Sequence, residues 1–118
     1  QETASLDIPS LIGLINSRLH DQIQKNMGAG KSKQKLNYRT GRFARSAKLE
    51  ALIPTKDKNA MAAEVSYMKH PYSVFEKGGR LYKPLRDPAG IFGRSIRQIL
   101  QEEKIATLRQ VQVNLTDG

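Results

Sequence analysis

Gly30, Lys31 and Ser32 are the residues of this sequence whose types and order could bind a phosphate. A Gly-Lys-Ser triplet ends the phosphate-binding loop of many nucleotide-binding proteins. In that loop another glycine stands five residues before the first glycine of the triplet, and a strand precedes it. Here that position is Lys25, and the residues before it have the pattern of a helix. The triplet therefore does not predict a nucleotide site.

Histidines and carboxylates are the other side chains that could act in catalysis or hold a metal ion. The two histidines, His20 and His70, are too few for most metal-ligand sets and have no spacing typical of ligands or nucleophiles. Paired carboxylates could act in acid–base catalysis, but most carboxylates here have an ordinary role, such as the helix cap predicted for Asp87. Glu76 lacks such a role, but a single carboxylate is not an active site. We expect no enzyme activity, no metal and no cofactor.

Positive charge is the strongest signal in the composition. The 118 residues carry a formal net charge of +9, concentrated in residues 25–48, where no acidic residue occurs, while the rest is close to balanced. The basic residues of this stretch are Lys25, Lys31, Lys33, Lys35, Arg39, Arg42, Arg45 and Lys48. Such a charge favours an anionic partner, which could be nucleic acid, an acidic protein surface or a membrane surface. The alternative is a solvated loop without a partner.

Length and composition place bounds on the fold. A chain of 118 residues suits a single domain with a modest core. Because there is no cysteine, stability has to come from that core or from neighbouring subunits, not from disulfides. No apolar run approaches the length of a membrane span and no signal-peptide pattern is present, so no membrane contact is expected. A chain that starts at Gln1 indicates a processed product or a segment of a longer one.

An amphipathic helix is predicted near the start of the chain. Residues 1–7 lack periodicity and are expected to fray, with Asp7 or Ser10 available to cap the helix. Residues 9–27 carry apolar side chains at helical spacing. Gly28 then provides a stop at the C-terminal end.

A basic loop, a short helix and a β-hairpin are predicted next. Residues 28–37, rich in glycine and lysine, predict a flexible loop. Thr40 is expected to cap one or two helical turns in which Phe43 is the buried anchor. Alternation in residues 47–53 and 60–67, with turn residues between them, predicts the hairpin. The core face is assigned to Leu49, Ala51 and Ile53 in the first strand and to Ala63, Val65 and Tyr67 in the second.

The rest of the chain is predicted to add an irregular segment, a helix and a strand. Residues 69–86 should be irregular and held to the domain by Tyr72, Phe75 and Tyr82. Asp87 and Pro88 start a second amphipathic helix that reaches about residue 104, and the alternation of residues 111–115 predicts the strand. The fold class is α+β, in which both amphipathic helices pack on a small antiparallel or mixed sheet. The predicted core contains Leu11, Ile15, Leu19, Ile23, Phe43, Val65, Tyr67, Phe75, Ile96 and Ile99.

Three segments, in this order, carry a family pattern. Residues 36–46 match an R-T-G-R-hydrophobic-x-x-S turn that precedes a strand, and residues 67–78 match Y-x-x-x-P-Y-x-x-F-E-x-G. Residues 83–88 match an R-D-P start of a final amphipathic helix. Order and spacing agree over roughly residues 36–104, and this set resembles the tail-completion and neck proteins of tailed bacteriophages. The loop at residues 28–35 is longer and more basic than the family pattern.

The resemblance implies a structural virion protein, a ring subunit of the head–tail connector without catalytic activity. Its partners would be further copies of the chain in the ring and neighbouring portal, adaptor or tail proteins, with non-specific contact to packaged DNA. It would occupy the host cytoplasm during assembly and the head–tail interface of the virion afterwards. The expected contacts with a partner or the DNA channel are Lys31, Lys33, Lys35, Arg39, Arg42 and Arg45. The structural motif residues are Thr40, Gly41, Phe43, Tyr67, Tyr72, Phe75, Glu76, Gly78, Asp87 and Pro88.

A small RNA-binding protein of ribosomal type is the main alternative. The pI near 10.0 and the basic stretch fit it equally well, but the aromatic and acidic residues of the 67–78 segment indicate packing. RNA binding that weakens steeply with salt would favour it, whereas neighbouring portal, terminase and tail genes would favour the phage protein. An enzyme such as a nuclease fragment is a third possibility, and it lacks the clustered carboxylates of metal-dependent cleavage.

Overall fold

The computed structural model describes residues 7–28, 36, 41–56, 60–105 and 110–118. Over these ranges the helices are α1 (Ile8–Lys25), α2 (Arg42–Ser46), α3 (Lys69–Tyr72) and α4 (Pro88–Glu102), with a 3-10 turn at Ser73–Phe75. The strands are β1 (Lys48–Pro54), β2 (Ala60–Tyr67) and β3 (Gln110–Asp117). The fold is α+β, as the sequence predicts. No helix in the described ranges is both long and apolar enough to cross a membrane.

Helix α1 begins as the sequence predicts but ends earlier. The Asp7 carboxylate accepts a hydrogen bond of 2.8 Å from the backbone N–H of Ser10, which caps the first turn. At the other end, Asn26 is the C-cap, so the helix stops at Lys25 and not at residue 27. The predicted stop at Gly28 is wrong, because Asn26 already caps the helix, with its side-chain amide donating to Ser95 Oγ (3.0 Å) and to Gln98 Oε1 (2.8 Å) on α4.

The two ends of the predicted flexible loop are tied together. The backbone N–H of Gly28 donates to the carbonyl of Leu36 (2.9 Å), and Leu36 is buried in the core. Residues 29–35 lie outside the described residues, so the predicted flexibility stays a prediction.

The sheet is mixed and has the strand order β1-β2-β3. Strands β1 and β2 form the predicted antiparallel hairpin, while β3 runs parallel to β2, from Ala60 opposite Gln110 to Tyr67 opposite Asp117. A parallel neighbour needs a crossover connection, and α4 provides it. Helix α1 packs against β1 and α4, and α4 packs against β3. The core lies between this helical layer and one face of the sheet.

A β-bulge in β1 changes which residues face the core. Leu49 lies opposite Val65, but the next partner of β2, Glu64, lies opposite Ala51, so Glu50 is an extra residue. One extra residue reverses the side-chain alternation beyond it. Leu52 is therefore 4% exposed and Ile53 is 46% exposed. The assignment of Ile53 to the core is wrong for this reason.

The segment before α4 is more ordered than the sequence predicts. Residues 69–75 form α3 and the 3-10 turn, and Tyr72 and Phe75 are half-buried against the core. Phe75 is thus less buried than predicted. Tyr82 is exposed, which corrects its predicted role, because the turns around it carry its side chain away from the core. Ala51, just after the bulge, is half-buried, and the remaining predicted core residues are all buried.

Candidate functional site

The structure brings the first two sequence motifs together with the helix that follows the third in one aromatic cluster. Phe43 of α2 contacts Tyr67 of β2 edge to face, with ring centroids 5.8 Å apart, and Tyr72 at 5.1 Å. It also stacks on Phe92 of α4 at 5.3 Å, and Phe92 contacts Tyr67 at 5.3 Å. Phe92 lies in the apolar stripe of the predicted second amphipathic helix, and nothing in its spacing indicates an aromatic partner. The motif residues therefore lie at the meeting point of α2, β2 and α4.

Gly41 and Ser46 give the first motif its shape. Gly41 is the N-cap of α2 with φ of 80°, a conformation that favours glycine. The predicted cap, Thr40, lies outside the described residues, and the cap position belongs to Gly41. The Ser46 hydroxyl donates to the carbonyl of Phe43 (2.8 Å) and accepts from the backbone N–H of Met68 (3.1 Å). The serine of this motif thereby joins α2 to the end of β2.

Glu76, for which the sequence offered no ordinary role, accepts a hydrogen bond from the Tyr67 hydroxyl. Its carboxylate also lies 3.8 Å from Lys69 Nζ. Burial of the Tyr67 ring raises the pKa of its hydroxyl well above the usual range, and the hydrogen bond to Glu76 and its charge add to the rise. Tyr67 therefore remains a proton donor at neutral pH. The pair holds the turn after α3 against β2, which is a structural role.

Asp87 is the N-cap of α4, and its carboxylate accepts from the backbone N–H of Ala89 (3.2 Å). Pro88 follows in the first turn, as predicted. Burial raises the pKa of Asp87, with a further contribution from the Glu76 carboxylate. Gly78, also in the motif, has φ of 92° in the exposed turn after Glu76.

An open cleft of about 390 Å³ lies beside these groups, between the start of α4 and strand β3. It is lined by Lys69, Glu76, Lys77, Asp87, Ala89, Val113, Asn114 and Leu115. Two lysines and two carboxylates share this cleft, and both carboxylates already accept hydrogen bonds. Within the described ranges no group of three or more histidine or acidic side chains could hold a metal ion.

The predicted basic contacts are described only in part. Arg42 and Arg45 lie on α2, and both are exposed. Lys31, Lys33, Lys35 and Arg39 lie outside the described residues. The roles assigned to all six residues stay predictions.

A second basic surface, which the sequence analysis missed, runs from the end of the second motif into the third. Residues 77–86 contain Lys77, Arg80, Lys83 and Arg86 and no acidic residue. The same stretch exposes large apolar side chains, with Leu81 38%, Tyr82 36% and Leu85 40% exposed. The signal was present in the sequence, but the balance of charge over the whole second half concealed it. We call residues 77–86 the basic-apolar loop.

Comparison with known proteins identifies a family for the chain. The family described as bacteriophage T5 tail completion protein p143 matches residues 8–106, which span α1, the aromatic cluster and α4. No curated protein and no solved structure is significantly similar to the chain. The family match covers most of the sequence and contains all three motifs. The chain belongs to this bacteriophage tail completion family.

Proposed function

We propose that the chain is a structural protein of a tailed-phage particle, a non-enzymatic ring subunit of the head–tail connector that completes the tail. The observation that carries the proposal is the family match over residues 8–106. The site geometry supports it, since the motif residues are used in packing, hydrogen bonds and helix capping. The match lends no support to the RNA-binding alternative.

The basic-apolar loop supports a contact with other proteins of the particle. Exposed leucine and tyrosine side chains next to cations are typical of protein interfaces, which are rich in aromatic and arginine residues. A ring subunit needs two different surfaces that fit one another on neighbouring copies. We assign one of these surfaces, or the contact with a portal, adaptor or tail protein, to Leu81, Tyr82 and Leu85.

The basic residues of the 25–48 stretch are proposed to contact an acidic neighbour or the DNA that passes through the ring. Arg42 and Arg45 are on a helix, so holding them in place costs less conformational entropy than ordering lysines of a glycine-rich loop. They are the proposed anchors of this contact. Phosphate contacts of this kind would not depend on DNA sequence.

Electron microscopy and mass spectrometry of particles test the proposal. A phage that carries the gene should contain the chain at the head–tail joint, in the copy number of a closed ring. A phage without the gene should accumulate heads and tails that do not join. The double variant Leu81→Ser/Leu85→Ser changes the basic-apolar loop, and Ile8→Ser changes an exposed apolar residue elsewhere. Joining of heads and tails should be weakened by the double variant and not by Ile8→Ser. Chain that is absent from purified particles would refute the proposal.

A further inference from the structure

The two edges of the sheet differ in how they are protected. At the β1 edge, the Asn16 side chain of α1 accepts from the backbone N–H of Leu49 (2.8 Å) and donates to its carbonyl (3.0 Å). The bulge at Glu50 and Pro54 at the strand end further prevent pairing. Among the described residues, strand β3 has none of these devices. It has eight residues, no proline, no bulge and a single charge, Asp117.

The free hydrogen-bonding groups of β3 can be identified from its pairing with β2. The backbone N–H of Gly118 donates to the Tyr67 carbonyl (2.9 Å), so even-numbered residues of β3 point their backbone groups towards β2. The N–H and C=O groups of Val111, Val113 and Leu115 therefore point outwards. In the described part of the chain these groups have no backbone partner. At Gly93, α4 approaches β3 so closely that a Cβ atom there would lie 3.1 Å from the Val111 carbonyl oxygen.

The sequence of β3 is complementary to itself. About Val113 as the centre, Gln112 corresponds to Asn114 and Val111 corresponds to Leu115. In an antiparallel pair with this register, apolar side chains lie opposite apolar ones on the α4 face, and amides lie opposite amides on the other face. The half-buried Val111, Val113 and Leu115 would lose exposed area in such a pair.

The cleft described above opens at the same place. Val113 and Leu115 form part of its lining together with Ala89, and the charged side chains lie around them. In the register centred on Val113, Val111 of the incoming strand lies next to Leu115 and so enters this cleft. When a strand adds to the edge of a sheet, its alternate side chains typically occupy pockets beside that edge. This cleft, partly apolar and surrounded by charged side chains, could hold such an apolar side chain.

From these observations we infer that the outer edge of β3 pairs with β3 of a second copy of the chain, antiparallel and about a two-fold axis at Val113. Residues 110–116 carry no charge that would select a different partner. Their alternating apolar and amide side chains are complementary to those of a second copy. The contact is isologous, so it differs from the head-to-tail contact that closes a ring. It concerns the free chain and does not rest on the proposed function. It would also protect an edge otherwise open to aggregation.

Sedimentation of the purified full chain over a range of concentrations tests the inference. The natural chain should form a dimer that dissociates on dilution. In Q112K/N114K, lysines lie opposite lysines across the axis, and the dissociation constant should rise at least about tenfold. In Q112E/N114K, glutamate lies opposite lysine, and the dissociation constant should stay within about threefold of the natural value. Both variants carry the same Asn114→Lys substitution opposite Glu64 of β2, so their folded monomers are matched at that position.

Several results would overturn the inference. One is a natural chain that stays monomeric at every concentration, and another is equal weakening by both variants. Rings that form normally with Q112K/N114K would agree with the inference, because the contact that closes a ring is a separate one. Protection of the β3 backbone amides from hydrogen exchange only within particles would also contradict the inference. The β3 edge would then pair with another virion protein and not with a second copy.

Discussion

The rings of Phe43 and Phe92 stack with their centroids 5.3 Å apart and their planes 14° from parallel. This contact joins the turn of the first motif to the last helix, and both side chains are among the largest that are fully buried. The family motifs are therefore joined through the core and not through a solvent-filled site.

Truncation of Phe43 tests this account. Phe43→Ala should lower the free energy of unfolding by about 3–5 kcal/mol, because it removes a buried ring with three aromatic neighbours. Phe75→Ala is the matched control, and its cost should be smaller since Phe75 is only half-buried. Urea unfolding measures both. A loss below about 0.5 kcal/mol for Phe43→Ala would mean that the turn is peripheral.

The Tyr67 hydroxyl predicts a dependence of stability on alkaline pH. Its pKa is raised in the folded chain, so the folded state keeps a proton that the unfolded state releases above about pH 10. The free energy of unfolding should therefore fall as pH rises above about 10. Tyr67→Phe should cost about 1 kcal/mol at neutral pH, and its deficit should shrink in alkali.

Urea unfolding at about pH 8 and about pH 11 measures this change. Tyr82→Phe, at an exposed position, is the control and should keep the alkaline loss of the natural chain. A Tyr67→Phe deficit that is the same at both pH values would contradict the assignment.

The bulge at Glu50 predicts opposite behaviour of two neighbouring residues. Leu52→Ala should cost about 2–4 kcal/mol because Leu52 is buried, and Ile53→Ala should cost less than about 1 kcal/mol because Ile53 is exposed. Thermal or urea unfolding of the two variants distinguishes them. Without the bulge the order of the two effects would be reversed.

The basic residues of the 25–48 stretch can be tested through assembly. Replacing Lys31, Lys33 and Lys35 with Gln should weaken joining of heads and tails modestly and make it less sensitive to salt. Replacing Arg42 and Arg45 with Gln should weaken it more, since each charge-assisted hydrogen bond contributes about 1.5–3 kcal/mol where water is excluded. Particle yield at several salt concentrations measures the effect. Normal yield and unchanged salt dependence in the lysine variant would leave those residues as a solvated loop.

Much of the fold follows from local signals in the sequence. Asp7 and Asp87 act as the predicted caps, and β2 has the predicted bounds, because capping and alternation depend on neighbours in the chain. The bulge at Glu50 and the helix end at Asn26 were missed because each depends on a partner distant in sequence. The contact of Phe92 with Phe43 was missed for the same reason. The basic-apolar loop, in contrast, was visible in the sequence.

The parallel pairing of β2 with β3 has a consequence for the order of folding. Antiparallel β1 and β2 are neighbours in sequence and can pair early, but β3 can join only after the chain through α4 has formed its crossover. Closing so long a connection costs chain entropy before any contact compensates for it. A product of interrupted translation that stops before Gln110 would therefore contain α1, α4 and the hairpin. One side of its β2 would have no neighbouring strand. We expect such truncated chains to aggregate or be degraded, which limits assembly to full-length molecules.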